Sequence, residues 1–327
     1  MAGLAYRTAL PVYRKLRRLK NRVLNLVDPP VVVLIYHRVN VLPSDPHLLA
    51  VSPENFRAQM RFLKRNFQVV RFEEDWADLK GPAVAVTFDD GYADNAREAL
   101  PILEEVGVPA TFFVSTGTLG TREEFWWDEL ERVILGEAAL PARFRLEDRV
   151  HGRSWPTATR EERLALHGEL HPLVETLGAA RREEWLEQLR AWAGLDRTGR
   201  EANRPLTPEE LKTLAASRWA TIGAHTVTHT PLALLSEEEQ RQEIVGSRQQ
   251  LERLLGREIT VFSYPFGRKN HYDRTSVRLC RETGFRRAAS NFPGQAHRWT
   301  DSFQIPRQLV RNWDADTFAA RLKDFWA

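Results

Sequence analysis

The chain has 327 residues, of which 43% are hydrophobic and 28% charged, which is typical of a globular protein with one large domain or two smaller ones. Its 47 basic and 44 acidic residues nearly cancel, so the composition does not indicate a nucleic-acid-binding protein. A single cysteine, Cys280, excludes an internal disulfide framework and a multi-cysteine zinc site.

The first segment, residues 1–30, is predicted to form a basic amphipathic helix. Arginines and lysines recur up to Val27 with no acidic residue among them, and the apolar residues between them have helical spacing. Such a helix either lies on an anionic membrane surface or packs against the rest of the chain with its charged face in water. We find neither a span-length apolar stretch nor a signal-peptide core. We therefore expect a cytoplasmic protein, peripheral at the inner membrane face if the helix binds lipid.

From Val31 onwards, short apolar runs alternate with helical segments, which predicts an α/β fold with a parallel sheet. Val31–Tyr36 is the first buried strand, and His37 follows it directly. Ser52 and Pro53 start a helix, as its N-cap and its first helical residue. The carboxyl ends of strands are where α/β proteins usually place their chemistry, so His37 is a candidate functional residue.

The stretch Ala83–Gly91 leads from an apolar, valine-rich strand into the adjacent carboxylates of Asp89 and Asp90. Neighbouring side chains on an extended chain point in opposite directions, so the two carboxylates are expected to have different roles. Aspartate and glycine are also ordinary turn residues, and alone they indicate a polar turn equally well.

The segment Thr121–Arg204 interrupts the alternation of strands and helices. It is rich in arginine, glutamate and tryptophan, has helical spacing and shows no clear strand. We therefore expect a helical insertion over about residues 121–205 that borders the substrate cleft.

The stretch Ala220–Pro231 is a further apolar strand that runs into His225 and His229. One carboxylate and two histidines are a common ligand set for a divalent metal ion, and a second carboxylate is then free to act as a general base. Either histidine alone would more often be a hydrogen-bonded core residue. Two histidines at one strand end and two aspartates at another favour a metal site.

Three motifs resemble those of the polysaccharide deacetylases, the NodB-homology or carbohydrate esterase family 4 group. Thr87–Gly91 (TFDDG) resembles the family's first motif, His225–His229 (HTVTH) the second and Tyr264–Gly267 (YPFG) the third. They follow one another in the family's order, and the resemblance spans about residues 31–310. It implies an α/β fold, a distorted (β/α) barrel of the NodB-homology type, over residues 31–327.

The resemblance also assigns roles to individual residues. Asp90, His225 and His229 would hold a divalent metal ion, with Zn²⁺ expected first and Mn²⁺, Co²⁺ or Ni²⁺ as alternatives. Asp89 would act as the general base in the hydrolysis of an N-acetyl group.

The expected general acid is His37. The family's acid histidine usually comes from a late Leu-x-His motif, which is absent here. Some circularly permuted members carry it in an early Tyr-His motif, and Tyr36–His37 resembles that arrangement. The alternative is a loop histidine that only makes hydrogen bonds.

The third motif departs from the family pattern at Ser263, where an arginine usually precedes the proline by two residues and orients the base. Arg307, in a late strand, is a candidate replacement, against the alternative of a rim or surface arginine. The residues expected to contact substrate are Tyr92, Tyr264, Pro265, Phe266 and Arg307.

The function implied by the resemblance is metal-dependent deacetylation of an aminosugar in a glycan or a glycan precursor. One alternative is a deformylase or other amidohydrolase of the same family that acts on a lipid-linked or small amide. A second alternative is a non-catalytic glycan-binding module, against which the intact aspartates and histidines argue. The expected partner is an N-acetylated carbohydrate, and no nucleic-acid partner is expected. Any contact with an anionic membrane would be made by residues 1–27.

Overall fold

A computed structural model of the chain describes residues 21, 23–148 and 152–326. The basic helix predicted over residues 1–30 lies largely outside these residues, and its contact with a membrane stays a prediction. Residues 23–27 are helical, and Asn25 Nδ2 donates a hydrogen bond to the Trp326 carbonyl oxygen (3.2 Å). No helix within the described residues is long and apolar enough to cross a membrane.

The strands are short and mostly buried. They are β1 (Val31–Tyr36), β2 (Arg38–Val39), β3 (Ala50–Val51), β4 (Gln68–Val70), β5 (Ala83–Phe88), β6 (Ala110–Val114), β7 (Arg143–Leu146), β8 (Arg153–Pro156), β9 (Ala220–Ala224), β10 (Val261–Ser263), β11 (Arg287–Ala289) and β12 (Gln308–Leu309). Eight of them form one parallel sheet in the order β11–β10–β9–β6–β5–β1–β12, with β4 pairing to the first half of β5. Strands β1, β5 and β6 are buried along their whole length, as expected for parallel strands covered on both faces.

The segment 302–310 closes this sheet. On one side, the backbone N–H of Ser290, next to β11, donates to the Ile305 carbonyl oxygen (2.9 Å). On the other side, β12 pairs in parallel with β1, with Gln308 opposite Leu34. Because one segment bonds to both edges of the sheet, the architecture is the distorted (β/α) barrel that the resemblance implies, and the predicted fold is confirmed.

Helices connect the strands and cover the barrel. From Pro53 onwards the α-helices are α1 (Pro53–Asn66), α2 (Leu100–Val106), α3 (Trp126–Leu135), α4 (Arg160–Glu175), α5 (Ala179–Ala193), α6 (Pro208–Ala216), α7 (Glu237–Leu255), α8 (Arg274–Glu282) and α9 (Ala315–Trp326). The predicted start of α1 is confirmed, since the Ser52 side chain accepts the backbone N–H of Asn55.

The insertion between β6 and β9 has a hydrophobic core of its own. Helices α3, α4 and α5 enclose a cluster of buried apolar side chains that includes Trp126, Trp127, Trp155 and Trp185. The expectation that this segment contains no strand is wrong, because β7 and β8 pair antiparallel with Phe144 opposite Trp155. Each strand has four residues, which is too short for its alternation to stand out from the helical pattern around it.

The parallel sheet brings the candidate residues to one face of the barrel. His37 follows β1, Asp89 and Asp90 follow β5, His225 follows β9 and Tyr264 follows β10. Since the paired strands of the sheet run in the same direction, these side chains leave their strands at the same end.

Candidate active site

The turn after β5 gives its two aspartates different surroundings. Asp90 (φ 75°) and Gly91 (φ 89°) both have left-handed backbone conformations. Such a conformation costs an aspartate on the order of 1 kcal/mol or more and is concentrated at functional sites. A Cβ atom at position 91 would lie 2.9 Å from Val114 Cγ1, so the turn requires glycine there.

Asp90, His225 and His229 converge on one buried point. Asp90 Oδ1 lies 3.3 Å from His229 Nε2 and 3.5 Å from His225 Nε2. One ligand atom from each residue lies within 4.8 Å of the others, and no second group of this kind occurs in the described part of the chain. Burial would raise the pKa of Asp90, but hydrogen bonds from both histidines hold it well below its usual range. One carboxylate oxygen and two imidazole nitrogens fit a divalent metal ion.

The Nδ1 atoms of His225 and His229 have different environments. His225 Nδ1 lies 2.7 Å from the Ser263 carbonyl oxygen, which can only accept, so this nitrogen carries a proton. The Nε2 lone pair of a neutral His225 then faces Asp90 Oδ1, which is repulsive unless a proton or a cation lies between them. His229 Nδ1 is buried and has no hydrogen-bond partner among the described residues. The arrangement at His225 fits a bound metal ion.

Asp89 is held by a buried arginine. Arg307 Nη1 lies 2.7 Å from Asp89 Oδ1, and Nη2 lies 2.6 Å from Oδ2, which is a bidentate ion pair. Arg307 Nε donates to the Ser290 carbonyl oxygen (2.7 Å), and Nη2 donates to Ser263 Oγ (2.9 Å). The alternative of a rim or surface arginine is wrong, because Arg307 is only 1% exposed.

Burial and nearby charges shift the pKa values of Asp89, the candidate base, and His37, the candidate acid. Burial alone would raise the pKa of Asp89, but Arg307, together with His225, outweighs it and holds the pKa below its usual range. Asp89 is therefore ionised at neutral pH. Burial lowers the pKa of His37, although Asp90 and Asp89 oppose the shift. A lowered pKa makes the protonated imidazole a stronger acid.

A cavity of about 270 Å³ lies over these groups. Both aspartates, both histidines and His37 line it. His37 Nδ1 is buried without a hydrogen-bond partner among the described residues. The remaining lining residues are His47, Leu49, Trp127, His171, Glu175, Phe266, Arg268, Asn291, Leu309 and Arg311.

Most of the residues expected to contact substrate lie outside this lining. Phe266 lines the cavity, and its contact with substrate stays a prediction. Tyr92 is buried, and its hydroxyl donates to Asp128 Oδ2 (2.6 Å). Tyr264 is also buried, and its hydroxyl donates to a backbone carbonyl oxygen at position 303 (3.1 Å). Pro265 is likewise buried outside the lining. Packing gives both tyrosine hydroxyls protein partners, and the contact of Tyr92, Tyr264 and Pro265 with substrate stays a prediction.

Arg307 also lies outside this lining. Its guanidinium contacts Asp89, which places it to orient the base, and its contact with substrate stays a prediction.

No sequence pattern predicts that His47 and His171 line the cavity. His47 lies in the loop between β2 and β3, and His171 lies on α4 of the insertion, yet their rings are only 4.5 Å apart. Neither residue belongs to a motif at a strand end. Their meeting depends on how the insertion packs on the barrel, which no local pattern describes.

Comparison with known proteins identifies the family. The sequence model described as polysaccharide deacetylase matches residues 77–138 and 184–288, about half of the chain. The matched ranges contain the two aspartates after β5 and the two histidines after β9. Residues 139–183, which the model does not match, belong to the insertion.

One curated relative and two solved structures show the extent of the similarity. YxkH of Bacillus subtilis (strain 168), whose name describes a polysaccharide deacetylase, is 22% identical over 285 residues, covering 85% of this chain and 70% of that protein. The structure of IcaB from Ammonifex degensii has a TM-score of 0.58 and 22% identity, over 91% of this chain and 98% of that one. The Streptococcus pyogenes deacetylase PplD has a TM-score of 0.56 and 17% identity, over 90% and 98%. Both structures share the fold, and the match to the family's sequence model shows that the chain belongs to the polysaccharide deacetylase family.

Proposed function

We propose that the protein is a metal-dependent deacetylase that hydrolyses the N-acetyl group of an aminosugar in a glycan or a glycan precursor. The observation that carries this proposal is the arrangement at the end of β5. An ionised Asp89, clamped by Arg307, lies beside a buried group of one aspartate and two histidines, and both face one cavity.

Asp90, His225 and His229 would hold the metal ion. Zn²⁺ suits this donor set best, and Mn²⁺, Co²⁺ or Ni²⁺ accept the same donors. When bound, the ion would supply Lewis-acid chemistry, polarising the amide carbonyl and lowering the pKa of water. The hydrogen bond from His225 Nδ1 to the Ser263 carbonyl oxygen orients that ring, as is usual for a metal-binding histidine.

Asp89 would accept the proton of the attacking water. Its bidentate pair with Arg307 fixes the carboxylate plane and keeps it ionised, and Asp89 lines the cavity. His37 would then protonate the departing amine, since it lines the same cavity and its Nδ1 has no other partner among the described residues.

The metal requirement is tested by elemental analysis together with acetate release. We expect about one divalent ion per wild-type chain and none in the His225→Ala, His229→Ala double variant, because it keeps only one of three ligands. The zinc-loaded wild type should release acetate from N-acetylated aminosugar oligomers, and the double variant should not.

A matched control is His297→Ala. His297 Nδ1 lies 3.2 Å from the Asp28 carbonyl oxygen, outside the cavity, so this variant should keep its metal. A wild-type protein that recovers no metal on dialysis against zinc, manganese or cobalt would contradict the proposed function.

The role of His37 is tested by changing the leaving group. His37→Gln should lower kcat for an N-acetylated sugar by about 10²–10⁴-fold, since the leaving amine must be protonated. Hydrolysis of 4-nitrophenyl acetate should change little, because 4-nitrophenolate departs without a proton. Steady-state kinetics on both substrates measure the difference. Equal losses on both would show that His37 acts on structure or binding and not as an acid.

A further inference from the structure

Two arginines that the proposed reaction does not use, Arg268 and Arg311, line the active-site cavity. Arg268 lies in the turn after β10, and Arg311 lies just after β12, so they come from two separate parts of the barrel. Unlike Arg307, which pairs with Asp89, neither of them forms an ion pair within the described residues. Their charge is therefore available to a molecule that enters the cavity.

The turn that carries Arg268 is held firmly. Phe266 (φ 57°) and Gly267 (φ 62°) both have left-handed backbone conformations, and a Cβ atom at position 267 would lie 2.6 Å from the backbone nitrogen of Asn291. The Asn291 N–H donates to the Gly267 carbonyl oxygen (2.7 Å), and the His271 N–H donates to the Arg268 carbonyl oxygen (2.9 Å). Such a conformation at a bulky residue is concentrated at functional sites. Here it places Phe266 and the exposed Arg268 side by side in the cavity lining.

Arg311 is held by the loop between β2 and β3. Its Nη1 donates to the carbonyl oxygens of His47 and Leu48, while its Nε and Nη2 make no hydrogen bond within the part of the chain that the structure describes. The Asp45 carboxylate of the same loop instead accepts the backbone N–H groups at positions 49 and 50 (2.9 and 2.8 Å). The loop therefore fixes the guanidinium group through one nitrogen and leaves the other two without a partner.

The carboxylates of the cavity lining do not compensate these two charges. The two aspartates belong to the ion pair with Arg307 and to the metal group. Glu175 Oε1 lies 3.3 Å from His271 Nε2, and a hydrogen bond from that histidine lowers the pKa of Glu175. Two guanidinium groups without ion pairs thus outnumber the one remaining carboxylate, which already has a partner.

We propose that Arg268 and Arg311 bind an anionic group of the substrate, a carboxylate or a phosphate attached to the aminosugar or to its neighbour. The planar donors of a guanidinium group match both groups. Trp127 and Phe266, in the same lining, supply aromatic surface for the sugar itself. This inference rests on the proposed function and deepens it. Among glycans and their precursors, it selects an acidic polymer or a phosphate-linked precursor over a neutral chain.

The test compares sugars that differ in one negative charge, by titration calorimetry on the zinc-loaded full chain. One pair is glucosamine 1-phosphate and glucosamine, and the other is glucuronosyl-glucosamine and glucosyl-glucosamine. We expect at least one anionic sugar to bind about tenfold or more tightly than its neutral counterpart. The pair that shows the difference identifies the source of the charge as phosphate or carboxylate. In the Arg268→Gln, Arg311→Gln double variant this preference should be lost.

The matched control is the Arg65→Gln, Arg257→Gln double variant. It removes the same total charge, so it separates a local contact from the overall field of the protein. Arg65 Nε donates to the Arg61 carbonyl oxygen (3.3 Å), Arg257 Nη1 donates to the Ala215 carbonyl oxygen (2.8 Å), and neither arginine lines the cavity. This variant should keep the wild-type preference.

Two results would overturn the proposal. One is equal affinity of the wild type for the anionic and neutral sugars of both pairs. The other is an unchanged preference in the Arg268→Gln, Arg311→Gln variant, since an anion bound by the metal ion alone would not respond to the arginines. If the double variant does not fold, Arg268→Gln decides, because Arg268 is exposed and its loss should reduce the preference. No acetate release is measured, so a failure here is distinct from a failure of the proposed function.

Discussion

Asp89→Asn is expected to lower kcat for N-acetyl hydrolysis by about 10²–10⁴-fold, the usual contribution of a positioned general base. Asparagine has nearly the shape of aspartate, and its side-chain oxygen can still accept a hydrogen bond from Arg307. It cannot accept a proton from water at neutral pH. KM and metal content should therefore stay near the wild-type values, because the expected ligands Asp90, His225 and His229 are intact. Steady-state kinetics and elemental analysis measure the two effects.

A matched control for this loss is Asp128→Asn. Asp128 accepts a hydrogen bond from the Tyr92 hydroxyl (2.6 Å) and does not line the substrate cavity, and asparagine keeps an acceptor for that bond. Its kcat should remain within a few-fold of the wild type. Near-normal turnover by metal-loaded Asp89→Asn would contradict the role of Asp89 as the base.

The strands that carry the site are predictable because their composition leaves few alternatives. Val31–Tyr36 and Ala83–Phe88 are six-residue apolar runs, which suits parallel strands buried on both faces. Parallel strands end at one face of the sheet, so polar residues directly after them meet in space however far apart they are in sequence. For this reason the sequence alone is enough to place Asp90 and His229 close together.

Side chains whose position depends on tertiary packing are less predictable. Tyr92 directly follows the first motif and Tyr264 begins the third, yet their rings are buried and their hydroxyls bond to protein atoms. A buried tyrosine usually finds such a partner, but the sequence does not say which one. His47 and His171 show the opposite case, since only the packing of the insertion brings them to the cavity.

The role of Arg307 is only partly predictable from the sequence. The missing arginine at position 263 indicates that the base needs another partner, and the late strand offers one. The bidentate contact with Asp89 depends on the closure of the barrel by segment 302–310, which carries Arg307 past β11 to β1. Closure of a sheet is a long-range property that a strand pattern does not specify.

Arg307→Met is expected to be the most destabilising substitution in the site. Removing one partner of a buried ion pair costs about 3–5 kcal/mol, because the remaining charge is left uncompensated. Arg307, together with His225, outweighs the effect of burial on Asp89, so the loss of Arg307 should raise the pKa of Asp89. The base must be ionised to accept a proton, and the acidic limb of the kcat/KM profile should therefore move to higher pH. Urea unfolding and the pH–rate profile measure these effects.

The pH dependence of the free energy of unfolding distinguishes what the charge of Arg307 contributes from what its packing contributes. In the wild type, the low pKa of Asp89 adds stability above its unfolded pKa of about 3.9, and this stability is lost as the pH falls through the folded pKa. In Arg307→Met the folded pKa is raised, so the destabilisation should be larger at pH 7 than near pH 4. Arg307→Lys keeps a positive charge but not the planar guanidinium group. Its free energy of unfolding at pH 7 should lie between those of the wild type and Arg307→Met. Equal destabilisation at both pH values, with an unmoved acidic limb, would mean that Arg307 contributes packing alone.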